Sequence, residues 1–400
     1  NRFFYPDHSA TSQMLSDLAF ELAARGVELE ILTSRLRYDD PLAKLSSVDR
    51  IHGVAVHRVY SSSLGRRRRR NQALDYLTFI VSALVKLVQI GRRGDTVVVK
   101  TDPPLLSVPV MVLSRIFGWR QVNWLQDVFP EVAMAAGVST RSAQLDKFVF
   151  GLLTALRNAS LRSASNAVVL GERMSARLQA QGIPIAQIAI IPNWSDASAI
   201  VPVAPDKNCL RNEWGLRERF VFGYSGNMGL AHDFDVLLQA AQQLQGDSRI
   251  VVLLVGDGKR KSLIQQVVAD RNLHNIIFKP YQPRSELANS LSVADVHLVT
   301  LRPEMEGLIV PSKFYGIAAA GRPTIFLGDL DGEVARDIRR FNCGVAVAAD
   351  DAEGLARALR RYADDPALLA EHGRNARAMA VEHFDLQISV NKWQQLLLPD

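Results

Sequence analysis

A single stretch of the 400-residue chain, Leu301 to Gly321, combines two carboxylates, a glycine and a Pro-Ser-Lys triplet. It begins at the end of an apolar run, Val296 to Leu301, which is typical of a buried parallel strand. It ends in small residues that predict a short helix from Lys313 to Ala320, stopped at Gly321. The polar residues therefore lie at the carboxyl end of a strand, where open α/β sheets bind ligands.

Three residues of this stretch have side chains suited to a phosphorylated sugar. Ser312 occupies the expected N-cap, where a helix presents unpaired backbone N–H groups and the positive end of its dipole. Lys313 adds a full positive charge, so this helix start favours a phosphate. The carboxylate of Glu306 can accept hydrogen bonds from sugar hydroxyls. The alternative is an ordinary strand–loop–helix with a capping serine and a solvated lysine.

Another acidic residue follows the strand predicted at Gln121 to Leu125. Asp127 comes just after this strand, so its carboxylate is placed to act on a ligand at the strand end. The alternative is that Asp127 caps the next helix.

The first loop of the chain, Pro6 to Ser12, is polar and precedes a helix predicted at Gln13 to Arg25. His8 and Ser9 in this loop are candidates to contact a substrate or a phosphate. The alternative is a loop held by local Asx and Ser turns.

In the second half of the chain, a strand predicted at Phe220 to Tyr224 runs into a loop that contains Gly226 and Asn227. The glycine lets the backbone approach a ligand closely, although the loop is not a GxGxxG fingerprint. His232 is the cation candidate of this loop.

Two further loops follow predicted strands of the second half. The loop after Ile250 to Val255 carries Lys259 and Lys261, which either neutralise a diphosphate or face solvent. The loop after Ile276 to Phe278 carries Gln282.

Five consecutive arginines, Arg66, Arg67, Arg68, Arg69 and Arg70, precede a mostly apolar segment, Ala73 to Ile90. Two charges within that segment make it a poor membrane span, so a helix with a wide apolar face is the better interpretation. A cationic cluster beside such a helix binds anionic lipid headgroups, each arginine contributing on the order of 1 kcal/mol. A solvated loop is the alternative, and nucleic-acid binding is disfavoured because no aromatic residues are interleaved.

A chain of 400 residues is too long to form a single hydrophobic core, so its length favours two domains. Its composition, 48% hydrophobic and 22% charged residues, is typical of a globular protein. Two cysteines provide neither a disulfide framework nor a zinc site, and they fit a reducing compartment. The net charge of +6 favours an anionic partner, either a phosphate-bearing substrate, a nucleic acid or a membrane surface.

Strands alternate with helices in two similar runs, which predicts an α/β protein of two Rossmann-like domains facing across a cleft. We expect a first domain at 1–195, a second at 196–380, and a last helix within 381–400 that crosses back to the first domain. A strand is expected before Arg2, so we expect the first strand to be truncated in this sequence.

Several of these stretches resemble retaining family 4 glycosyltransferases of the GT-B fold, in the bacterial exopolysaccharide and O-antigen branch that includes UDP-N-acetyl-fucosamine transferases. The resemblance rests on Val310-Pro311-Ser312-Lys313, Ala319 to Pro323, Pro192-Asn193-Trp194 and Ser225-Gly226-Asn227. It covers nearly the whole chain, and its motifs are specific only in combination. The family pairs two glutamates here: the first matches Glu306, whereas the second, a ribose contact in many relatives, falls at Gly316.

The resemblance implies transfer of a sugar from a nucleotide-diphosphate donor with retention, without a metal or other cofactor. It assigns Asp127, Glu306 and Lys313 to catalysis. It implies donor-binding roles for the following residues: Gly226, Asn227, His232, Lys259, Lys261, Gln282, Gly307, Leu308, Ser312 and Gly316.

The resemblance also implies a UDP-sugar donor and a lipid-diphosphate-linked or oligosaccharide acceptor, with His8, Ser9 and Glu131 on the acceptor side. Such an enzyme works in the cytoplasm at the inner face of the cytoplasmic membrane, where Arg66 to Arg70 would contact anionic lipid, and it uses no nucleic acid. Two alternatives stay open: a binding protein that captures a ligand without reaction, and a degenerate transferase that only scaffolds a pathway, suggested by Gly316.

Overall fold

The computed structural model describes residues 1–7, 9–37, 40, 45–65, 69–139, 142–229 and 231–398, without the side chain of Arg69. His8 and Arg66 to Arg68 lie outside the described residues. The chain divides into two compact units, of which the first is Asn1–Pro192 with Ser389–Asp400 and the second is Asn193–Ile388.

The first unit contains six of the helices and seven of the strands found in the described residues. The helices are α1 (Ala10–Ala24), α2 (Arg69–Ile90), α3 (Ser107–Phe117), α4 (Glu131–Ala135), α5 (Ala143–Ser163) and α6 (Glu172–Ala180). The strands are β1 (Glu30–Ser34), β2 (Val48–Ile51), β3 (Val54–Val59), β4 (Thr96–Lys100), β5 (Arg120–Trp124), β6 (Asn166–Val169) and β7 (Ile188–Ile190).

Two sheets form the frame of this unit. Strands β4-β5-β6-β7 are all parallel, while β1 and β3 are parallel and β2 pairs antiparallel with β3. The alternating stretch from Ile51 to Val59 is not one strand, because β2 ends at Ile51 and β3 begins at Val54. His52 and Gly53 both have positive φ angles, 48° and 84°, so they turn the chain into a two-residue hairpin.

The second unit contains the remaining elements of the described residues. The helices are α7 (Cys209–Glu213), α8 (Asp235–Leu244), α9 (Lys261–Asp270), α10 (Leu287–Ser292), α11 (Lys313–Ala319), α12 (Glu333–Phe341), α13 (Ala352–Asp364) and α14 (Pro366–His383). A last helix, α15 (Leu386–Leu397), begins in this unit and continues from Ser389 in the first unit. The strands are β8 (Phe220–Ser225), β9 (Ile250–Val255), β10 (Ile276–Lys279), β11 (Val296–Thr300), β12 (Thr324–Gly328) and β13 (Gly344–Ala348).

All six strands of the second unit are parallel, in the order β10-β9-β8-β11-β12-β13. Their apolar runs are buried on both faces, as in β9, where every residue is buried. This is the doubly wound order, in which the chain leaves β8 in one direction and resumes at β11 in the other. The crevice at the carboxyl ends of β8 and β11 is therefore where a ligand is expected.

The end of α15 packs on the first unit. The Arg120 guanidinium donates hydrogen bonds to the carbonyl oxygens of Leu396 and Leu397 at 2.7 and 3.1 Å. The rings of Trp124 and Trp393 lie 4.6 Å apart, and both side chains are fully buried. These contacts explain why residues from Ser389 onwards belong to the first unit.

Candidate functional site

Two glycine-containing loops meet at the carboxyl ends of β8 and β9. A Cβ atom on Gly256 would lie 2.2 Å from the carbonyl oxygen of Gly226, and one on Gly258 would lie 2.5 Å from that of Met228. Gly226 and Gly256 also have φ angles of 137° and 135°, which other residues rarely adopt. The loops therefore require glycine both for conformation and for close packing, and Asn227 lies between them, with its side chain against Gly258.

The amine of Lys313 lies beside the first of these loops. It donates a hydrogen bond to the Tyr224 hydroxyl at 2.6 Å and lies 3.8 Å from the centre of that ring. A Cβ on Gly226 would be 3.2 Å from the same amine, so the glycine leaves it room. Burial lowers the pKa of Lys313 to about 7. The ammonium form is thus poorly solvated and would gain from an anion.

His232 completes this cluster, as a neutral side chain. Its Nδ1 lies 2.6 Å from the carbonyl oxygen of Thr300, and burial, with a contribution from Lys313, lowers its pKa to about 3. The expectation that His232 supplies a cation is therefore wrong for this structure. Arg260 is the nearby permanent cation, and it donates to the carbonyl oxygen of His232 at 2.9 Å.

The start of α11 differs in one respect from the sequence prediction. Ser312 precedes the first helical residue, but it has helical φ and ψ angles and its side chain makes no capping hydrogen bond. The backbone N–H groups of Ser312 and Lys313 donate to no described residue. Gly321, with a φ of 65°, follows the helix as predicted.

Glu306 is buried beside the start of another helix. Its Oε1 accepts the backbone N–H of Glu333 at 2.9 Å, and its Oε2 would lie 2.5 Å from a Cβ on Gly332. The carboxylate therefore caps the N-terminus of α12, where a negative charge is favourable. Glu306 and Lys313 lie on the same connection between β11 and α11, so this anchoring also fixes the loop that carries Lys313.

The other donor-side candidates are less involved in contacts at this cluster. Lys261 donates to the carbonyl oxygen of Gly256 at 3.2 Å and lies 3.8 Å from Asp257, while Lys259 is exposed. Gln282 donates to the carbonyl oxygen of Pro280 at 3.1 Å. Lys259 and Gln282 lie on the loops after β9 and β10, and Lys261 is the first residue of α9.

Gly307, Leu308 and Gly316 are part of the scaffold around α11. Gly307 adopts a φ of 71°, and Leu308 is 2% exposed. A Cβ on Gly316 would lie 3.5 Å from Leu291, so a larger side chain has limited space here.

In the first unit, Asp127 lines a small cavity of about 30 Å³ at the ends of β4 and β5. Its Oδ1 is buried and accepts no hydrogen bond from a described residue. Burial raises its pKa to about 6, although a hydrogen bond from Thr101 opposes the shift. The alternative role as a helix cap is excluded, because α4 begins at Glu131 with Pro130 before it.

Lys100 connects this cavity to the first loop. Its amine donates to the carbonyl oxygen of Thr11 at 3.0 Å and lies 3.5 Å from the centre of the Trp124 ring. Burial lowers the pKa of Lys100 well below its usual range, while Asp102 and Asp127 act in the opposite direction. Sequence reasoning missed Lys100, although a charge that ends an otherwise apolar strand was a visible signal.

Glu131 and Ser9 make contacts within the protein. The Oε1 of Glu131 accepts from Arg157 and from Gln181, both at 2.7 Å. The backbone N–H of Ser9 donates to Asp7 at 2.8 Å, which is an Asx turn, whereas the Ser9 hydroxyl is buried and bonds to no described residue.

Tyr224 is another residue that sequence reasoning missed. Its hydroxyl accepts from Lys313 and donates to the carbonyl oxygen of Asn227 at 2.7 Å, so it joins the start of α11 to the loop after β8. A hydroxyl at the carboxyl end of a strand, just before the Ser225-Gly226 turn, was the available signal. In the residues that the structure describes, no group of three or more His, Cys, Asp or Glu side chains is arranged to hold a metal ion.

The helix after the arginine run begins earlier than predicted, at Arg69, and Arg70 is exposed. Residues Arg70–Ile90 are long and apolar enough to cross a membrane by length and composition.

Comparison with known families assigns both halves of the chain. Residues 10–194 match the glycosyl transferase 4-like domain, and residues 206–379 match the glycosyl transferases group 1. With these two matches and its two α/β units, the chain belongs to the glycosyltransferases of the GT-B class.

Among individual relatives, the Pseudomonas aeruginosa protein WbjE, described as a probable glycosyltransferase, is 28% identical over 340 residues, 84% of this chain and 82% of WbjE. WcaI of Escherichia coli K12, named as a colanic acid biosynthesis glycosyl transferase, is 26% identical over 312 residues, 77% of this chain and 75% of WcaI. The crystal structure of Anabaena HepE in complex with UDP-glucose superimposes with a TM-score of 0.73 over 99% of this chain and 97% of HepE, at 16% identity. At that identity the similarity concerns the fold.

Proposed function

We propose that this glycosyltransferase transfers a sugar from a UDP-sugar, with retention at the anomeric carbon, to a lipid-linked or saccharide acceptor in cell-surface polysaccharide synthesis. The name of WcaI supports the pathway, because it refers to colanic acid biosynthesis. The HepE complex supports the donor, because it contains UDP-glucose bound to the same fold.

The cluster around Lys313 is the observation that carries this proposal. It lies at the crevice between β8 and β11 and combines a desolvated amine with two backbone N–H groups that have no partner among the described residues. Such groups are suited to the diphosphate of the donor, and they would stabilise the negative charge that develops as the diphosphate leaves. The proposal gives this task to the protein's own groups and not to a metal.

The family resemblance assigns Asp127 and Glu306 to the sugar. Asp127 has an unsatisfied, buried carboxylate oxygen, which is consistent with a ligand hydroxyl or developing positive charge as its partner. The Glu306 carboxylate accepts a hydrogen bond from the backbone N–H of Glu333. We therefore propose that its first role is to fix the loop before α11 and that its second role is to contact the sugar.

The acceptor and the location are proposed together. A lipid-linked acceptor requires the enzyme to work at a membrane, and a net charge of +6 with the run from Arg66 to Arg70 is suited to an anionic surface. We therefore place the enzyme in the cytoplasm, at the inner face of the cytoplasmic membrane.

A catalytically inactive scaffold is the second candidate, favoured by Gly316 at the position where relatives carry a ribose-binding glutamate. A panel of UDP- and GDP-sugars tests both candidates, with the melting temperature and sugar transfer as the readouts. We expect UDP-sugars to raise the melting temperature and to support transfer, and Lys313→Ala to lower turnover by about 10²-fold at saturating donor. Stabilisation by GDP-sugars alone would contradict the assignment of a UDP-sugar as the donor. Binding of a nucleotide sugar without transfer or hydrolysis would favour the inactive scaffold.

A further inference from the structure

Helix α2 exposes a row of large apolar side chains along its length. The exposed residues recur at helical spacing along 22 residues, and they are Leu74, Leu77, Val81, Val85 and Val88. On the opposite side, Phe79 and Ala83 pack in the core with Val99 and Val110. A surface helix of a soluble domain normally exposes polar side chains to water. The exposed apolar side of α2 therefore indicates an interaction surface.

Two polar residues of α2, Asp75 and Thr78, are used inside the protein. Asp75 is 3% exposed and accepts hydrogen bonds from the Ser62 hydroxyl at 2.6 Å and from the backbone of Leu64 at 3.0 Å. Thr78 hydrogen-bonds the same loop through the backbone of Ser62. One side of the helix is therefore fixed to the first unit, so α2 is placed to lie along a membrane surface and not to span it.

Helix α5 also exposes a row of apolar side chains. Its exposed residues include Leu145, Phe148, Leu152 and Leu156, and Phe148 is 69% exposed. Its buried residues include Arg157 and Asn158, which hydrogen-bond each other at 2.7 Å. Two helices of 22 and 21 residues thus each present an apolar stripe to the outside.

Helix α3 lies between the other two helices, because it packs against both α2 and α5. It exposes Val112, Ile116 and Phe117, of which Ile116 is 67% exposed. We call the exposed apolar residues of α2, α3 and α5 the three-helix face. An apolar face of this extent on the surface marks an interaction site.

The charges around the three-helix face indicate which kind of partner it can bind. Exposed basic residues lie on or directly after these helices, and they are Arg70, Arg92, Arg93, Arg115, Lys147 and Arg162. Among the described side chains of the same helices and the residues directly after them, the acidic residues are the buried Asp75, the half-buried Asp146 and the exposed Asp95, which accepts the backbone N–H of Arg92 at 2.7 Å. A second copy of the chain, related by a twofold axis, would place like charges opposite each other.

We infer that the three-helix face docks the protein on an anionic lipid bilayer, with the apolar side chains of α2, α3 and α5 inserted and the basic residues at the headgroups. This rests on the proposed membrane location and deepens it, because it adds α3 and α5 to the arginine run. Insertion of apolar side chains adds a contribution to the free energy of membrane binding that salt does not screen.

Flotation of the full chain with vesicles tests the inference, using phosphatidylcholine alone and phosphatidylcholine with phosphatidylglycerol. We expect binding to the anionic vesicles, and the double variant Phe148→Ser with Leu152→Ser should weaken it by about tenfold or more. A second pair, Val81→Ser with Val85→Ser, should have the same effect. Val381→Ser, which removes a similarly exposed apolar side chain from the second unit, is the matched control and should bind like the original protein.

Several outcomes would overturn the inference. Unchanged vesicle binding by both double variants is one, and a dimer in solution that the same variants convert to a monomer is another, because a second copy would then cover the face. Vesicle binding needs neither donor nor acceptor, so its loss leaves the proposed function untouched. Transfer to a soluble acceptor analogue, measured on the same variants, should be retained and tests the proposed function separately.

Discussion

The protonation of Lys313 links donor binding to pH. Burial lowers the pKa of this amine to about 7 in the free protein, so the neutral form dominates above that pH. A bound diphosphate stabilises the ammonium form and raises the pKa towards its usual 10.5. Donor binding above pH 7 therefore takes up a proton, and it must weaken as the pH rises.

We expect the dissociation constant of the donor to be nearly constant below about pH 6.5 and to rise by up to about tenfold per pH unit above about pH 7. Lys313→Arg should remove this dependence, because a guanidinium stays charged throughout the range. Calorimetry from pH 6 to 9, in two buffers of different ionisation enthalpy, measures both the affinity and the proton uptake. Equal affinities at pH 6 and 9 for the original protein would contradict the assignment of Lys313 to the diphosphate.

Asp127→Asn separates a catalytic role from a structural one. The carboxyl pKa is raised to about 6 in the folded protein from a usual 3.8. Because the folded state binds the proton more tightly, the free energy of unfolding contributed by this group falls as the pH rises from about 4 to 6. Asparagine removes the buried charge and keeps the size, so we expect a melting temperature at pH 8 that is equal or higher.

If Asp127 stabilises the reacting sugar, the same variant should lose turnover by about 10²-fold while donor affinity stays within a few-fold. Single-turnover transfer and a melting curve on one preparation measure both effects. A normal transfer rate would show that the carboxylate is not part of the chemistry.

Helix α12 depends on a residue from a neighbouring loop. Glu306 accepts the backbone N–H of Glu333 in the first turn, and its negative charge lies at the positive end of the helix dipole. Glu306→Gln keeps an acceptor of the same size, so we expect it to cost about 0.5–1 kcal/mol of stability. Glu306→Ala also removes the acceptor and leaves a cavity, and it should cost about 2 kcal/mol or more.

Urea unfolding of the two Glu306 variants measures these differences, and transfer assays without urea, on the folded variants, show whether the loop still positions Lys313. If both variants have the stability of the original protein, the hydrogen bond to Glu333 does not hold α12. If both are destabilised yet transfer at the normal rate, Glu306 serves the helix alone.

The sequence predicted the elements and the polar loops of this site, because strand ends and helix starts are local features. Lys313 at a helix start and Gly226 after a strand were identified in this way, and both lie at the β8–β11 crevice. The contacts of Tyr224 with Lys313 and of Glu306 with Glu333 were not predicted. Each joins loops that follow neighbouring strands, so it depends on the order of β8, β11 and β12 in the sheet, which no local pattern specifies.

The exposed apolar stripes of the first unit could not be predicted from local sequence patterns either. The apolar segment from Ala73 to Ile90 was identified as a helix with a wide apolar face, but a sequence pattern does not show which face is covered. The packing of Phe79 and Ala83 against β4 and α3 settles this for α2. The matching stripe on α5 became visible only once the buried positions of Arg157 and Asn158 were known.

The molecule as a whole combines a net charge of +6 with an exposed apolar face, and the two features respond differently to salt. Headgroup attraction is screened when the Debye length falls from about 10 Å at 0.1 M salt to about 3 Å at 1 M. Burial of apolar side chains in lipid does not weaken in this way. Salt therefore divides membrane binding into a contribution from the arginines and one from the three-helix face.

Replacing Arg66 to Arg70 with serine lowers the net charge from +6 to +1, since five positive charges are removed. We expect this variant to bind anionic vesicles at least about tenfold more weakly than the original protein at 0.1 M salt. At 1 M salt both proteins should bind equally, because only the apolar contribution remains. Flotation at the two salt concentrations, with a melting curve to show that the variant is folded, measures the difference. Equal binding at 0.1 M salt would mean that the arginine run is a solvated loop, and the apolar face would then account for membrane attachment without it.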